Sequence, residues 1–133
     1  MIDKDTAEVE FLRFCEEWEI DADTADMNED DKVGFEQQKS KILKAIVKGR
    51  LAVNDDGSLT YTLSRSSENI DVIIKRPGGA ALMEMDKYKD RESMHKIYSV
   101  LGSMTGKPPS FFSNLDGIDL KPFTAVVALF LAS

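Results

Sequence analysis

The sequence contains few of the side chains on which most catalytic and metal-binding sites depend. Among its 133 residues there is one cysteine, Cys15, and one histidine, His95. A single cysteine excludes a disulfide bond within the chain and is typical of a reducing, intracellular setting. One Cys with one His excludes a zinc site built from these ligands. A catalytic histidine needs a nucleophile and an orienting carboxylate nearby in space, and no motif supplies them. We therefore expect no catalytic residue, no metal and no cofactor.

Long apolar runs are also missing. The longest, Ala125–Ala132, has eight residues, whereas a membrane-spanning helix needs about 20. The first residues, Met-Ile-Asp-Lys-Asp, contain no apolar signal core, so secretion is not expected. With 42% hydrophobic and 31% charged residues, the composition is that of a globular protein. The length predicts a single domain over residues 1–133.

The charge is negative overall and unevenly distributed. The formal net charge is −7, which makes nucleic acid and anionic membranes poor partners. Residues 1–31 carry 13 acidic and two basic side chains, a net charge of −11, whereas residues 32–133 carry a net charge of +4. We interpret the acidic segment either as a solvated face or as an arm that docks on a basic partner or on the basic half of this chain.

The first part of the chain, residues 1–50, has helical periodicity. Asp5-Thr-Ala-Glu8 resembles a capping box, and the apolar residues that follow at helical spacing predict a helix over about residues 6–18. A second helix is predicted to begin among Asn28–Asp31, where carboxylates favour a helix N-terminus. It should end at Gly49, a residue that readily adopts the left-handed conformation.

Residues 51–76 change to strand periodicity. Leu51–Val53 and Leu59–Leu63 alternate apolar and polar residues on either side of Asn54-Asp-Asp-Gly57, which predicts a β-hairpin with Asp-Gly in the turn. A third strand is predicted over Ile70–Arg76, and Pro77-Gly-Gly79 should end it. Together these segments predict a three-stranded antiparallel meander.

The last part, residues 77–133, is predicted to be helical, which makes the fold class α+β. Helices are expected over Ala80–Lys89 and Arg91–Thr105, followed by a short turn that begins at Pro108-Pro109. Asp119 is the expected N-cap of a last helix, with Pro122 in its first turn.

The last helix is apolar on every side, and a helix of this kind must be surrounded. One interpretation is that it is the central helix of the core. The other is that it contacts another copy or another protein, because a helix at a chain end is rarely enclosed by its own chain. Under the second interpretation the partner-binding residues are Phe123, Val126, Val127, Phe130 and Leu131. Methionines at 83, 85, 94 and 104 belong either to the core or to an adaptable binding surface.

Several motifs in residues 70–133 resemble one protein family. The segments Ile73-Ile-Lys-Arg-Pro77, Leu82–Asp86, Met104-Thr-Gly-Lys-Pro108 and Leu115-Asp-Gly-Ile-Asp119, followed by a closing apolar helix, are similar to the tail assembly chaperones of long-tailed bacteriophages and prophages. The resemblance implies a non-enzymatic protein of the host bacterial cytoplasm that binds the tape-measure protein, and it implies neither a cofactor nor a catalytic residue. Tail-tube protein is a possible second partner, and a homo-oligomer is possible.

Two other classes of function stay open at this point. The carboxylates of residues 1–31 are also typical of an acidic inhibitor or nucleic-acid mimic that binds a basic protein. A small enzyme is the third class, and the single histidine disfavours it.

Overall fold

The computed structural model describes residues 1–66, 70–86 and 94–132, with the backbone alone for residues 85 and 86. The elements in chain order are α1 (Lys4–Glu17), α2 (Glu29–Val47), β1 (Leu51–Val53), β2 (Leu59–Thr62), β3 (Asp71–Ile74), α3 (Gly79–Asp86), α4 (Met94–Thr105), α5 (Pro109–Ser113) and α6 (Gly117–Ala132). This order confirms the predicted α+β class, with two helices, a three-stranded antiparallel sheet and a helical last part. None of the helices in the described ranges is long and apolar enough to cross a bilayer.

The first two helices begin at side-chain caps. Asp3 caps α1 by accepting a hydrogen bond from the Thr6 N–H at 2.7 Å, so the predicted cap at Asp5 is wrong by two residues. Asn28 caps α2 by accepting from the Asp31 N–H at 2.8 Å, as the acidic N-terminal cluster suggested. Gly49, with φ +75°, follows α2 in the left-handed conformation that was expected of it.

The three strands form an antiparallel sheet in the order β1-β2-β3. Val53 pairs with Leu59, and Leu59 pairs in turn with Ile74. The alternation of the sequence places one row of apolar side chains on the buried face: Leu51, Val53, Leu59, Tyr61, Val72 and Ile74. The third strand is shorter than predicted, because beyond Ile74 the Lys75 N–H donates to the Met104 carbonyl of α4 at 2.8 Å.

The hairpin turn is fixed by its own polar groups and by α1. Gly57 has φ +87°, and the Asp56 carboxylate accepts hydrogen bonds from the Ser58 N–H and hydroxyl at 2.9 and 2.6 Å. The buried Trp18 indole N–H donates to the Gly57 carbonyl at 2.7 Å. The end of α1 is therefore attached to the tip of the hairpin.

The helical last part agrees with the prediction where the structure describes it. The chain enters α3 directly after Pro77 and Gly78, and α4 ends at Thr105, before the left-handed Gly106. The predicted end of the first of these helices and the predicted start of the second fall within residues 87–93, which lie outside the described residues. α3 packs against α4, and α4 packs against α5, α6 and β3.

Helix α6 lies at the centre of the apolar core. It packs against α2 on one side and α4 on another, and the Phe123 ring contacts Tyr61 of the sheet and Phe112 of α5 at centroid distances of 4.9 and 5.4 Å. Apolar side chains from the described helices and strands join it in one hydrophobic cluster. Of the two interpretations of this helix, the structure supports the central one.

We expect Gly57→Val to lower the free energy of unfolding by about 1–2 kcal/mol, because a β-branched residue resists a positive φ. A Cβ here would also lie 2.9 Å from a Glu17 Oε2 atom, but this carboxylate can rotate away. Gly57→Asn is the matched control, since Asn meets the same carboxylate and tolerates the left-handed region. Chemical denaturation should give a smaller loss for Asn than for Val. Equal losses would show that contact with Glu17, and not backbone strain, sets the requirement for glycine.

Candidate binding surfaces

Cys15 and His95 lie in different environments of the described structure. Cys15 is buried among the aromatic residues of α1, and burial raises the pKa of its thiol to about 12 despite the nearby Lys39 charge. It is therefore a thiol and not a nucleophilic thiolate at neutral pH. His95 is exposed near the start of α4. Within the parts of the chain that the structure describes, no group of three or more His, Cys, Asp or Glu side chains could hold a metal ion.

Asp119 is a carboxylate buried inside the fold, with 1% of its surface exposed. Its Oδ1 accepts hydrogen bonds from the Tyr61 hydroxyl at 2.9 Å and from the Ser64 N–H and hydroxyl at 2.9 and 2.7 Å. Its Oδ2 accepts from the Arg65 N–H at 2.9 Å. These donors lie more than 50 residues away in the sequence, so Asp119 joins the start of α6 to β2 and the segment that follows it.

This position corrects the prediction that Asp119 caps the last helix. α6 begins at Gly117, and Asp116 precedes it and accepts the Ile118 N–H at 2.9 Å, as an N-cap does. Pro122 consequently lies in the second turn of α6 and not in the first. Because proline has no N–H, the helix forgoes the bond from residue 122 to the Ile118 carbonyl.

The hydrogen bonds determine the ionisation of Asp119. Burial raises the pKa of this carboxyl, but the bonds from Ser64, Arg65 and Tyr61 outweigh burial and leave the pKa below its usual value. Burial, together with the hydrogen bond to Asp119 and its charge, raises the pKa of Tyr61. Asp119 is thus ionised and fully hydrogen-bonded at neutral pH, which is the environment of a structural anchor and not of a general acid or base.

The predicted partner-binding residues of the last helix are mostly inside the protein. Phe123, Val126 and Val127 have no exposed surface, because α2, α4, α5 and the sheet cover α6. The expectation that these three form a contact surface is therefore wrong for this fold. Phe130 and Leu131 are partly buried and pack against the edge of the core.

Three of the exposed large apolar side chains lie on the paired helices α3 and α4. The exposed fractions are 53% for Leu82, 68% for Met83 and 45% for Met94. We call these three residues the α3–α4 surface. Among the side chains of α3 that the structure describes, Ala81 is the buried one, so this helix turns its larger apolar residues toward solvent.

A groove lies between the first half of α2, the connection that precedes it and the end of α6. Its volume is about 630 Å³. The lining residues are Ile20, Asp21, Met27, Asp30, Asp31, Gly34, Phe35, Gln38, Ala128, Leu129 and Ala132. We call it the α2–α6 groove. The sequence analysis did not identify it, although a glycine within a predicted helix, Gly34, was a visible signal.

No family model matches the sequence, and neither a curated protein nor a solved structure is significantly similar to it. The function therefore has to be inferred from the surfaces of the molecule and from the motifs of residues 70–133.

We expect Asp119→Asn to lower the free energy of unfolding at pH 7 by about 2–4 kcal/mol. The amide keeps one acceptor oxygen for four donors and removes a charge that these donors stabilise. Asp116→Asn is the matched control, because Asn caps a helix as well as Asp does, and it should change the free energy of unfolding by less than about 0.5 kcal/mol.

The effect of Asp119→Asn should also depend on pH. Since folding lowers the pKa of Asp119, its stabilisation is complete above the unfolded pKa of about 3.9 and is lost as pH falls through the folded value. Urea denaturation from pH 7 to pH 2.5 should therefore show the difference between wild type and Asp119→Asn shrinking below about pH 4. A difference that stays constant to pH 2.5 would mean that the charge of Asp119 does not stabilise the fold.

Proposed function

We propose that this chain is a non-enzymatic tail assembly chaperone of a bacteriophage or prophage. It binds the tape-measure protein in the host bacterial cytoplasm and aids assembly of the tail tube around it. The observation that carries the proposal is the α3–α4 surface, on which Leu82, Met83 and Met94 are about half exposed or more.

The type and place of these residues favour client binding. Contiguous apolar surface marks sites of interaction, and α3 and α4, which carry these three residues, pack against each other. Methionine adapts to irregular partners because it is unbranched and polarisable. Leu82 and Met83 also lie in the segment Leu82–Asp86, one of those that resemble the chaperone family. Apolar exposure and the resemblance thus coincide at Leu82 and Met83.

The acidic segment is compatible with this role, because a protein that holds an aggregation-prone client has to stay soluble itself. Asp21, Asp23, Asp26, Glu29, Asp30 and Asp31 all lie in residues 1–31, the segment with a formal net charge of −11. Net charge keeps a protein soluble through mutual repulsion. The same carboxylates favour the second candidate, an acidic inhibitor that binds a basic protein, and salt separates the two.

The test is co-purification with the tape-measure protein of the same phage or prophage, co-expressed with this chain. Leu82→Glu/Met83→Glu/Met94→Glu should reduce capture at least tenfold, because burying each such side chain contributes about 1.5–3 kcal/mol. The matched control is Val9→Glu/Leu12→Glu/Val33→Glu, which places the same charges at apolar positions exposed by 63%, 50% and 49% on α1 and α2. The control should keep capture, and far-UV circular dichroism should show both variants folded.

Two results would contradict the proposal. One is equal capture by the wild type and by a folded α3–α4 variant. The other is capture that is lost when the salt concentration rises from about 0.1 to 1 M, where the screening length falls from about 10 to 3 Å. That second result would favour the acidic inhibitor.

A further inference from the structure

The α2–α6 groove has an apolar floor and two helical walls. Phe35 and Leu129 lie almost buried at its base, and Met27 and Ala128 are partly exposed beside them. One wall is a face of α2 that contains residues 30, 31, 34, 35 and 38, and the other is a face of α6 that contains residues 128, 129 and 132. Two neighbouring helix faces with apolar residues between them are the usual receptor for a third helix.

Gly34 keeps the α2 wall open. Glycine within a helix is destabilising relative to alanine, so a helical glycine calls for a reason. A Cβ placed on Gly34 would meet no atom within 4 Å, which means that no neighbouring part of the described chain requires its absence. The space in front of Gly34 opens instead into the groove.

The rim of the groove is negative. Asp21, Asp30 and Asp31 line it, and the lining contains no Lys or Arg among the described residues. The last turn of α6, Leu129–Ala132, is uncharged, so the negative end of its helix dipole is left uncompensated by a cation of its own turn. A partner with positive charge on both sides of an apolar stripe matches this rim and floor.

We propose that the α2–α6 groove binds a cationic amphipathic helix of a partner protein. Apolar residues of that helix, at spacing i, i+3 or i+4, fill the space in front of Gly34 and Ala128, and its Lys or Arg side chains lie beside Asp21, Asp30 and Asp31. The chemistry of this helix follows from the groove alone and does not depend on the proposed function, in which the tape-measure protein binds the α3–α4 surface.

The test uses a synthetic peptide of leucine, lysine and glutamine, about 14 residues long. Its leucines follow the i, i+3, i+4, i+7 pattern, and its lysines flank that stripe. A second peptide has glutamate in place of each lysine. Fluorescence anisotropy at about 0.1 M salt should show the lysine peptide binding the full chain at least tenfold more tightly than the glutamate peptide. Equal binding of the two peptides would contradict the proposed charge match.

Gly34→Leu examines the groove itself. It should weaken binding of the lysine peptide at least tenfold by filling the groove. The midpoint of chemical denaturation should stay the same or rise, because leucine is the better helix former. Gly34→Ala adds a single methyl group and should weaken binding less. Unchanged binding by a folded Gly34→Leu variant would overturn the proposal.

Two triple variants examine the rim. Asp21→Asn/Asp30→Asn/Asp31→Asn should weaken binding of the lysine peptide at least fivefold. The control, Asp23→Asn/Asp26→Asn/Glu29→Gln, removes three charges from the same segment but none from the groove lining, and it should have little effect. Equal losses would mean that the peptide responds to the acidic segment in general, which would overturn the proposal.

The peptide measurements test the groove proposal, and co-purification with the tape-measure protein tests the proposed function, so either proposal can be contradicted without the other. If Gly34→Leu leaves peptide binding unchanged while the α3–α4 variant loses the tape-measure protein, the groove proposal is wrong and the proposed function is supported. If peptide binding depends on Gly34 and the rim but the wild type captures no tape-measure protein, the groove proposal is supported and the proposed function is wrong.

Discussion

The structure depends on the enclosure of one helix that is apolar on all sides. α6 is stable in water only if other elements cover most of its apolar surface. α2, α4, α5 and the buried face of the sheet do so: Phe123, Val126 and Val127 have no exposed surface, and residues 128, 130 and 131 are partly exposed. This requirement explains why helices from distant parts of the chain meet: α2 and α6 are far apart in the sequence but pack directly against each other.

The buried carboxylate of Asp119 determines how α6 is placed against the sheet. Hydrophobic burial is not directional, so it leaves the rotation and the register of a uniformly apolar helix poorly defined. Four hydrogen bonds from Tyr61, Ser64 and Arg65 give the start of α6 one position relative to β2. An anchor of this kind is stable only if every partner is present, because a buried charge that loses its donors is costly.

Local patterns in the sequence predicted much of this fold, and long-range contacts account for what they missed. The first two helices, the hairpin with Gly57 and the meander follow from spacing, caps and turn residues, each of which acts over a few residues. Asp119 shows the limit. An aspartate before an apolar helix is typical of an N-cap, and only its distant donors show that it is an anchor inside the helix. For the same reason, the sequence left open whether α6 lies in the core or at an interface, because it does not show whether α2 covers this helix. The α2–α6 groove required the packing of these helices to be known, although Gly34 was a signal.

The position of α2 has a consequence for how this protein can bind a partner. The motifs that resemble tail assembly chaperones lie within residues 70–133, whereas α1 and α2 lie outside them. Because α2 covers α6, Phe123, Val126 and Val127 belong to the protein's own core. Under the proposed function, a client would contact the apolar surface that the fold leaves exposed on α3 and α4. The α2–α6 groove is a second surface, formed where α2 packs against α6 and leaves Ala128 and Ala132 accessible. The first part of the chain, residues 1–50, therefore has two roles in this interpretation: α2 completes the core around α6, and Asp21, Asp30 and Asp31 supply the carboxylates at the rim of the groove.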